Sequence, residues 1–133
     1  MNWYNYTKKR NKFNAISTEY NGNVYHSKLE AGYAQELDLR VAAKELTHWN
    51  RQVPFRFYLV KKKNDWVLTD QDPKGKRNIF LCTYYLDFVA FRTDGTIELL
   101  EVKGKDTETW KTKWKYLEAL YEDEPNYILE VKR

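Results

Sequence analysis

Residues 79–103 read IFLCTYYLDFVAFRTDGTIELLEVK, and this stretch decides the fold. Apolar and aromatic residues fill both of its ends, a composition that favours β-strands. Between them, Thr93-Asp94-Gly95 fits a three-residue hairpin loop in which Gly95 supplies the positive φ. We therefore predict two antiparallel strands, Ile79 to Arg92 and Thr96 to Lys103.

This loop also sets which residues of the two strands face each other. The expected pairs are Phe91 with Ile97, Val89 with Leu99, Asp87 with Glu101, and Tyr85 with Lys103. Because alternate residues of a strand share a face, one face is apolar near the turn and ends in Asp87, Glu101 and Lys103. The opposite face is expected to carry Leu86, Phe88, Leu100 and Val102. Both faces therefore need a covering layer.

Two segments with helical periodicity can supply these layers. The first runs from Ser27, a good N-cap, to about Lys44, and the second from Thr107 to Tyr121. The apolar stripe of the first is Leu29, Tyr33, Leu37 and Val41, and that of the second is Trp110, Trp114, Leu117 and Tyr121.

Further strand segments complete the pattern. They are Leu46 to Trp49, Val53 to Val60 and Tyr127 to Val131. Pro54 predicts an edge position or a bulge. We expect Lys61 to Asn78 to form a long charged hairpin excursion with a short strand near Trp66 to Leu68. The order helix, two or three strands, helix, strand predicts an α/β domain with a mixed β-sheet flanked by helices.

The composition limits the class of protein. A chain of 133 residues with 42% hydrophobic residues can fold as one domain, which we place at 21–133 after a basic, aromatic arm at 1–20. No apolar run approaches the ~20 residues of a membrane span, and the N-terminus lacks the apolar region of a secretory signal. We expect a cytoplasmic protein without a membrane partner. With Cys82 as its one cysteine, the chain has no internal disulfide and no Cys-rich zinc site.

The basic residues are clustered, although the net charge is only +4. The clusters are Lys8, Lys9, Arg10 and Lys12; Lys61, Lys62 and Lys63; Lys74, Lys76 and Arg77; and Lys111, Lys113 and Lys115. Such patches suit a polyanion, although each cluster alone also fits a solvated surface. We predict DNA contacts at Lys8, Lys9, Arg10, Lys12, Lys111 and Lys115.

The pair of Asp87 and Glu101 is the feature that indicates chemistry. Two carboxylates opposite each other on a sheet repel, and an apolar surrounding strengthens the repulsion. Mg²⁺ removes this conflict, because it binds one or two carboxylates and keeps water ligands for chemistry. Lys103, one side-chain step beyond Glu101 on the same face, can then approach a water or a phosphate.

The chain carries Leu86-Asp87, then a spacer, and then Glu101-Val102-Lys103. This pattern resembles the signature of the PD-(D/E)XK nuclease superfamily. Glu30, in Ser27-Lys28-Leu29-Glu30-Ala31, holds the position of that superfamily's helix acid. Together with Arg51-Gln52-Val53-Pro54-Phe55, these motifs are similar to small phage proteins grouped with endonuclease-I-type Holliday-junction resolvases. One departure is that no proline precedes Asp87.

The resemblance implies a restriction-endonuclease-like core in the order α-β-β-β-α-β and a Mg²⁺-dependent DNA endonuclease, with Mn²⁺ as a substitute metal. Asp87, Glu101 and the Val102 carbonyl would hold the metal, Glu30 would bind a second metal or a coordinated water, and Lys103 would position the attacking water. Resolvase-like substrates imply branched DNA and a homodimer, and the motifs imply a phage or prophage protein in a bacterial host.

Other interpretations of the same residues remain. Ser27 and Glu30 also fit a capping box, in which the Glu30 carboxylate returns to the Ser27 amide. Gln52 either orients Glu30 or a metal-bound water, or is a polar edge residue. The alternative function is a non-catalytic DNA-binding or inhibitor protein on the same fold; a structural component is a third. The complete set of two acids and a lysine favours the nuclease.

Overall fold

The computed structural model describes residues 17–133, in which seven strands and two helices are formed. They are β1 (Thr18–Tyr20), β2 (Asn23–Tyr25), α1 (Lys28–Ala42), β3 (Leu46–Lys62), β4 (Asp65–Thr69), β5 (Asn78–Arg92), β6 (Ile97–Val102), α2 (Glu108–Tyr121) and β7 (Tyr127–Lys132). Strands β1 and β2 form a hairpin, and the others form one sheet in the order β4-β3-β5-β6-β7. Only β6 and β7 pair in parallel within that sheet. The predicted α/β architecture with a mixed sheet is confirmed, with four strands between the helices because β4 is a full strand.

The N-terminal hairpin packs on the domain. Asn21 and Gly22, both at positive φ, turn the chain between β1 and β2. Tyr20 packs against the core under α1, and its hydroxyl donates to Asp38 Oδ2 at 2.6 Å. The predicted division between 1–20 and 21–133 falls inside this hairpin, so β1 is part of the folded domain.

Helix α1 covers one face of the sheet. Its N-cap is Ser27, as predicted, and it ends at Ala42, two residues before Lys44. Tyr33 and Leu37 are buried, but Leu29 is 44% exposed, so its assignment to the apolar stripe is wrong. The inward face of the first turn carries Glu30 instead, and this turns the helix acid toward the sheet.

Helix α2 covers the other face. Its N-cap is Thr107, whose hydroxyl accepts from the Trp110 amide at 3.2 Å. Trp110, Trp114 and Leu117 are buried, as predicted. They pack in one cluster with Phe57, Tyr84, Leu86, Val89 and Leu99.

Strand β5 changes its facing at Asp87. Phe88 packs under α1, whereas Leu86 packs under α2, so the predicted face shared by Leu86 and Phe88 is wrong. Two residues that are two positions apart share a face only in a regular strand. Strand β3 changes its facing at the same level, since Trp49 packs under α1 and Val53 under α2.

The irregularity lies at Gln52, opposite Asp87. Gln52 has a φ of 50°, in the left-handed region that non-glycine residues rarely adopt. Regular pairing of β3 with β5 continues on both sides, with Arg51 opposite Phe88 and Val53 opposite Leu86. A local irregularity of this kind redirects side chains next to it.

A buried ion network joins α1 to the β5–β6 hairpin. Glu98 is 2% exposed and accepts from Arg40 Nη1 at 2.9 Å and Nη2 at 2.6 Å. Arg92 Nε donates to the same carboxylate at 2.5 Å. The Arg40 guanidinium is the main cause that holds the pKa of Glu98 below its usual range. The last turn of α1 is thereby fixed to β6.

Two further sequence predictions can be compared with the sheet. The pairs Phe91–Ile97 and Val89–Leu99 are confirmed. The predicted pairs Asp87–Glu101 and Tyr85–Lys103 are wrong, because regular pairing of β5 with β6 ends at Phe88 and Leu100. At Pro54 the strand β3 has a free edge, because β4 pairs with it only from Tyr58 onward, and this confirms the edge position. Neither helix in the described part of the chain is long and apolar enough to cross a membrane.

Candidate active site

The β5–β6 ladder opens at the two predicted carboxylates. Its last regular pair is Phe88 with Leu100, one position before Asp87 and Glu101. Beyond that point the Val102 amide donates to Asp87 Oδ2 at 2.9 Å, and the Asp87 amide donates to Glu101 Oε2 at 3.3 Å. Each carboxylate thus satisfies an amide of the opposing strand, and both are buried. The opened ladder holds the two acids together.

Three side chains orient these carboxylates. Gln52 Nε2 donates to Asp87 Oδ1 at 3.2 Å, so Gln52 is an orienting group rather than a plain edge residue. The Tyr84 hydroxyl donates to Glu101 Oε2 at 2.8 Å and accepts from Trp110 Nε1 at 3.1 Å. From the sequence, Trp110 is predicted only as a core residue and Tyr84 has no predicted role. Their roles could have been predicted from one rule: a buried tyrosine hydroxyl and a buried tryptophan N–H usually have hydrogen-bond partners.

Lys103 lies beside the pair, as predicted. Its Nζ is 3.7 Å from Glu101 Oε1 and 5.1 Å from the ring centroid of Trp110. The Lys103 amide donates to the Lys132 carbonyl at 2.8 Å, which fixes the end of β6 against β7. The ammonium therefore has a defined position next to a buried acid.

Glu30 faces the pair from α1 and is 4% exposed. One half of the capping box is present, since Ser27 Oγ accepts from the Glu30 amide at 3.1 Å. The Glu30 carboxylate, however, is bound by the backbone of His26 rather than by the Ser27 amide. Glu30 Oε1 is buried without a hydrogen-bond partner among the described residues. One oxygen of this acid is thus available to a ligand.

Burial dominates the electrostatics of the three acids. Burial, and next the charge of Asp87, raises the pKa of Glu30 to about 7. Burial and then Asp87 likewise raise the pKa of Glu101, and burial raises that of Asp87. The positive charge of Lys103 lowers the pKa of all three acids. Ionisation of all three acids is therefore unfavourable without an added positive charge.

Arg51 is a charged neighbour of Glu30 that has no predicted role, although it belongs to the motif Arg51-Gln52-Val53-Pro54-Phe55. Its guanidinium carbon lies 4.2 Å from the ring centroid of Tyr25, and its Nη2 donates to the Val24 carbonyl at 3.2 Å. Its positive charge lowers the pKa of Glu30. Within residues 17–133, the Arg51 Nε, the Tyr25 hydroxyl and Glu30 Oε1 are the buried side-chain polar atoms without a partner.

The side chains and carbonyl of the site offer oxygen donors, which hard divalent cations prefer. In the described residues, no group of three or more histidine, cysteine, aspartate or glutamate side chains is placed to hold a metal ion. The structure thus brings together Asp87, Glu101 and Val102, and Glu30 faces them without completing such a group. Two carboxylates and a main-chain carbonyl are oxygen donors that suit Mg²⁺ and Mn²⁺. The negative charge of the buried Asp87 and Glu101 also favours a divalent cation.

The predicted DNA-contacting lysines of α2 lie beyond this end of the sheet. Lys111 is exposed and its Nζ is 3.6 Å from Glu108 Oε1. The charges of Lys111 and Lys103 both lower the pKa of Asp106, after the larger effect of Arg133. Lys115, one turn later, is exposed. Lys8, Lys9, Arg10 and Lys12 lie outside the described residues.

Residues 10–132 match the family described as "Protein of unknown function (DUF1064)". The chain belongs to this family. The matched DUF1064 region contains Glu30, Asp87, Glu101 and Lys103. No curated protein and no solved structure matches the chain.

Proposed function

We propose that this protein is a Mg²⁺-dependent DNA endonuclease and that Asp87, Glu101 and the Val102 carbonyl hold the metal. The observation that carries the proposal is the opened β5–β6 ladder, which keeps two buried carboxylates side by side with Lys103 Nζ 3.7 Å from Glu101. Such a pair opposes folding on its own, because like charges repel and burial removes their solvation. A cation offsets both costs.

The bound Mg²⁺ would act as a Lewis acid toward the phosphodiester and would increase the acidity of a coordinated water. The chain's own groups divide the remaining work. Lys103 donates from its ammonium to the phosphate or to the attacking water and stabilises the charge that develops. Glu30, with a pKa of about 7, accepts a proton at its unpartnered Oε1 near neutral pH.

The supporting side chains keep these groups in place. Tyr84 fixes one oxygen of Glu101, Gln52 fixes one oxygen of Asp87, and Trp110 fixes Tyr84. Orienting hydrogen bonds of this kind commonly change metal affinity or activity 10–100-fold. The surrounding shell supports a catalytic use of the carboxylates better than a purely structural one.

The resemblance to endonuclease-I-type resolvases extends the proposal to the substrate. We assign branched DNA, four-way junctions in particular, and a homodimer whose two-fold axis relates two active sites as the two cut strands are related. On the same resemblance, we propose that a phage or prophage encodes the protein and that it acts in the bacterial cytoplasm.

A cleavage assay tests the proposal. The purified protein is incubated in Mg²⁺ or Mn²⁺ with a four-way junction, a flap, a duplex and a single strand, with a chelator as the control. Cleavage that requires the metal and is lost in Asp87→Asn supports the proposal. Binding without cleavage under every condition would favour the non-catalytic DNA-binding alternative.

A further inference from the structure

Within residues 17–133, neither helix covers one face of the β3–β5 pair beyond the candidate site. Val53, Phe55 and Phe57 pack under α2, so the residues that alternate with them face the opposite side of the sheet. These are Pro54, Arg56 and Tyr58 on β3, paired with Tyr85, Thr83 and Phe80 on β5. We call these six residues the open face. None of them belongs to either core cluster of the described residues.

The open face begins where the cover of α1 ends. Phe88 is under α1, and at Asp87 the strand changes its facing. From Asp87 to Phe80 the strand extends about 20 Å at ~3.3 Å per residue. A chain segment that leaves the carboxylates along this direction therefore stays in contact with the open face.

Two exposed aromatic side chains lie on this face. Tyr85 is 57% exposed and Phe80 is 53% exposed. Tyr58 packs against Phe80 with ring centroids 5.4 Å apart, which holds the ring of Phe80 in place. Exposed rings of this kind offer stacking surfaces to unpaired bases.

Cationic side chains accompany the rings. Arg56 is exposed between Tyr85 and Phe80 along the sheet. Past Tyr58, Lys62 and Lys76 line a groove of about 230 Å³, together with one acid, Asp72. The alternation of rings and cations matches the bases and phosphates of a single strand, whereas a duplex hides the faces of its bases.

We propose that the open face binds a single-stranded segment of DNA, with bases stacked on Tyr85 and Phe80 and phosphates near Arg56. The use of this segment as part of a substrate rests on the proposed nuclease function, but its binding does not require a metal. The substrate class is thereby narrowed to branched or flapped DNA that has an unpaired strand next to the cleavage point.

Fluorescence anisotropy in a chelator measures this binding without cleavage. The probe is a labelled oligothymidylate of about 12 nucleotides, and a hairpin duplex is the comparison. Tyr85→Ala and Phe80→Ala should each weaken oligothymidylate binding about 10-fold and leave duplex binding nearly unchanged. Tyr85→Leu keeps an apolar side chain without the ring and should weaken binding as Tyr85→Ala does.

Ile79→Ala is the matched control. Ile79 is 48% exposed and adjacent to Phe80, but it pairs with Leu59 and lies on the other face. Its substitution should change affinity by less than about twofold. Circular dichroism melting identifies any variant that fails to fold, and Tyr85→Leu and Phe80→Leu then replace the alanine variants.

Two results would overturn the proposal. The first is unchanged oligothymidylate affinity in folded Tyr85 and Phe80 variants. The second is a halved mass in light scattering of these variants, since the open face would then be a contact between two copies of the chain. Wild-type protein that binds through Tyr85 but cleaves nothing in Mg²⁺ would refute the nuclease and leave this binding site standing.

Discussion

Gln52 Nε2 donates to Asp87 Oδ1 at 3.2 Å at the level where β3 and β5 both change the face to which their side chains point. The hydrogen bond thus joins the backbone irregularity of one strand to a candidate metal ligand on the other. A left-handed conformation at a non-glycine residue costs about 1–3 kcal/mol. Its occurrence beside Asp87 indicates that the strand is shaped to place this acid.

Gln52→Gly should separate backbone strain from acid orientation. Glycine adopts the φ of 50° without strain, but the hydrogen bond to Asp87 is lost. These effects oppose each other, so the free energy of unfolding should change by less than about 1 kcal/mol. The cleavage rate should fall about 10-fold because Asp87 is less well oriented. Gln52→Gly protein that cleaves like the wild type would remove Gln52 from the site.

Asp87→Asn should abolish cleavage without unfolding the protein. An asparagine oxygen can still accept from the Val102 amide, but the metal site loses one negative charge. We expect at least about a 100-fold loss of cleavage. Duplex binding in a chelator should be retained. The Tm of the metal-free variant should equal or exceed that of the wild type, because one buried charge is gone. Normal cleavage by this variant would refute the metal assignment.

Glu30→Gln tests whether Glu30 acts in chemistry or only in capping. Glutamine keeps the shape and can cap, so a structural role predicts little loss of activity. We expect cleavage to fall about 100-fold or more with little change in Tm, since the proton-accepting group is removed. Ser27→Ala is the matched control: it removes the cap and should cost about 1 kcal/mol of stability while specific activity remains.

The stability of the metal-free protein should fall as the pH rises through neutrality. The pKa of Glu30 is raised from 4.5 to about 7, so the folded state binds this proton more tightly than the unfolded state. The resulting stabilisation is complete below the pKa of the unfolded state and is lost as the pH rises through about 7. The pKa values of Glu101 and Asp87 are raised as well, so these acids contribute in the same direction. Its size for Glu30 is at most about 3 kcal/mol.

Differential scanning fluorimetry at about pH 5 and about pH 8 measures this effect. Mn²⁺ should raise the Tm at the higher pH, where the acids are ionised, and have little effect at the lower pH. In Glu30→Gln the fall of Tm with pH should be smaller. A metal-free Tm that rises over this range, with no response to Mn²⁺, would contradict the site.

The dependence of DNA binding on salt tests the basic residues. Each lost phosphate contact should reduce the log–log slope by about 0.9 on duplex DNA. Replacing Lys111 and Lys115 by alanine should therefore reduce it by up to about 2. Replacing the arm residues Lys8, Lys9, Arg10 and Lys12 by alanine should also reduce the slope, by about 0.9 for each phosphate contact that is lost. Lys113→Ala is the control on the same helix, because the Lys113 ammonium donates to the Thr83 carbonyl. An unchanged slope would exclude the substituted residues from the interface.

The sequence was sufficient for the elements whose signals are local. Thr93-Asp94-Gly95 set the register of β5 and β6 through turn geometry, and Ser27 and Thr107 marked the starts of both helices. It was not sufficient where tertiary contacts decide. Leu29 follows the four-residue period but is exposed, because the first turn of α1 directs Glu30 at the sheet.

The acids and the lysine of the candidate site were predictable from the sequence, but the side chains that orient them were not. Turn register and strand alternation predicted that Asp87, Glu101 and Lys103 lie close together, although the regular β5–β6 pairing ends at Phe88 and Leu100. Regular alternation also placed Leu86 with Phe88, and it could not anticipate the change of facing at Asp87, which lies opposite the left-handed Gln52 of β3. Tyr84 reaches Glu101 only through the opened ladder. Such relationships depend on backbone irregularities that a strand pattern does not encode.

The bond between Arg40 and the buried Glu98 has a consequence for catalysis in concentrated electrolyte. Added ions screen exposed charges such as Lys111, but they screen an ion pair less when its carboxylate is buried, as that of Glu98 is. This pair ties α1, which carries Glu30, to β6, which carries Glu101. Rising ionic strength should therefore raise KM through weaker capture of the nucleic acid, while kcat stays nearly constant because the acids keep their mutual spacing.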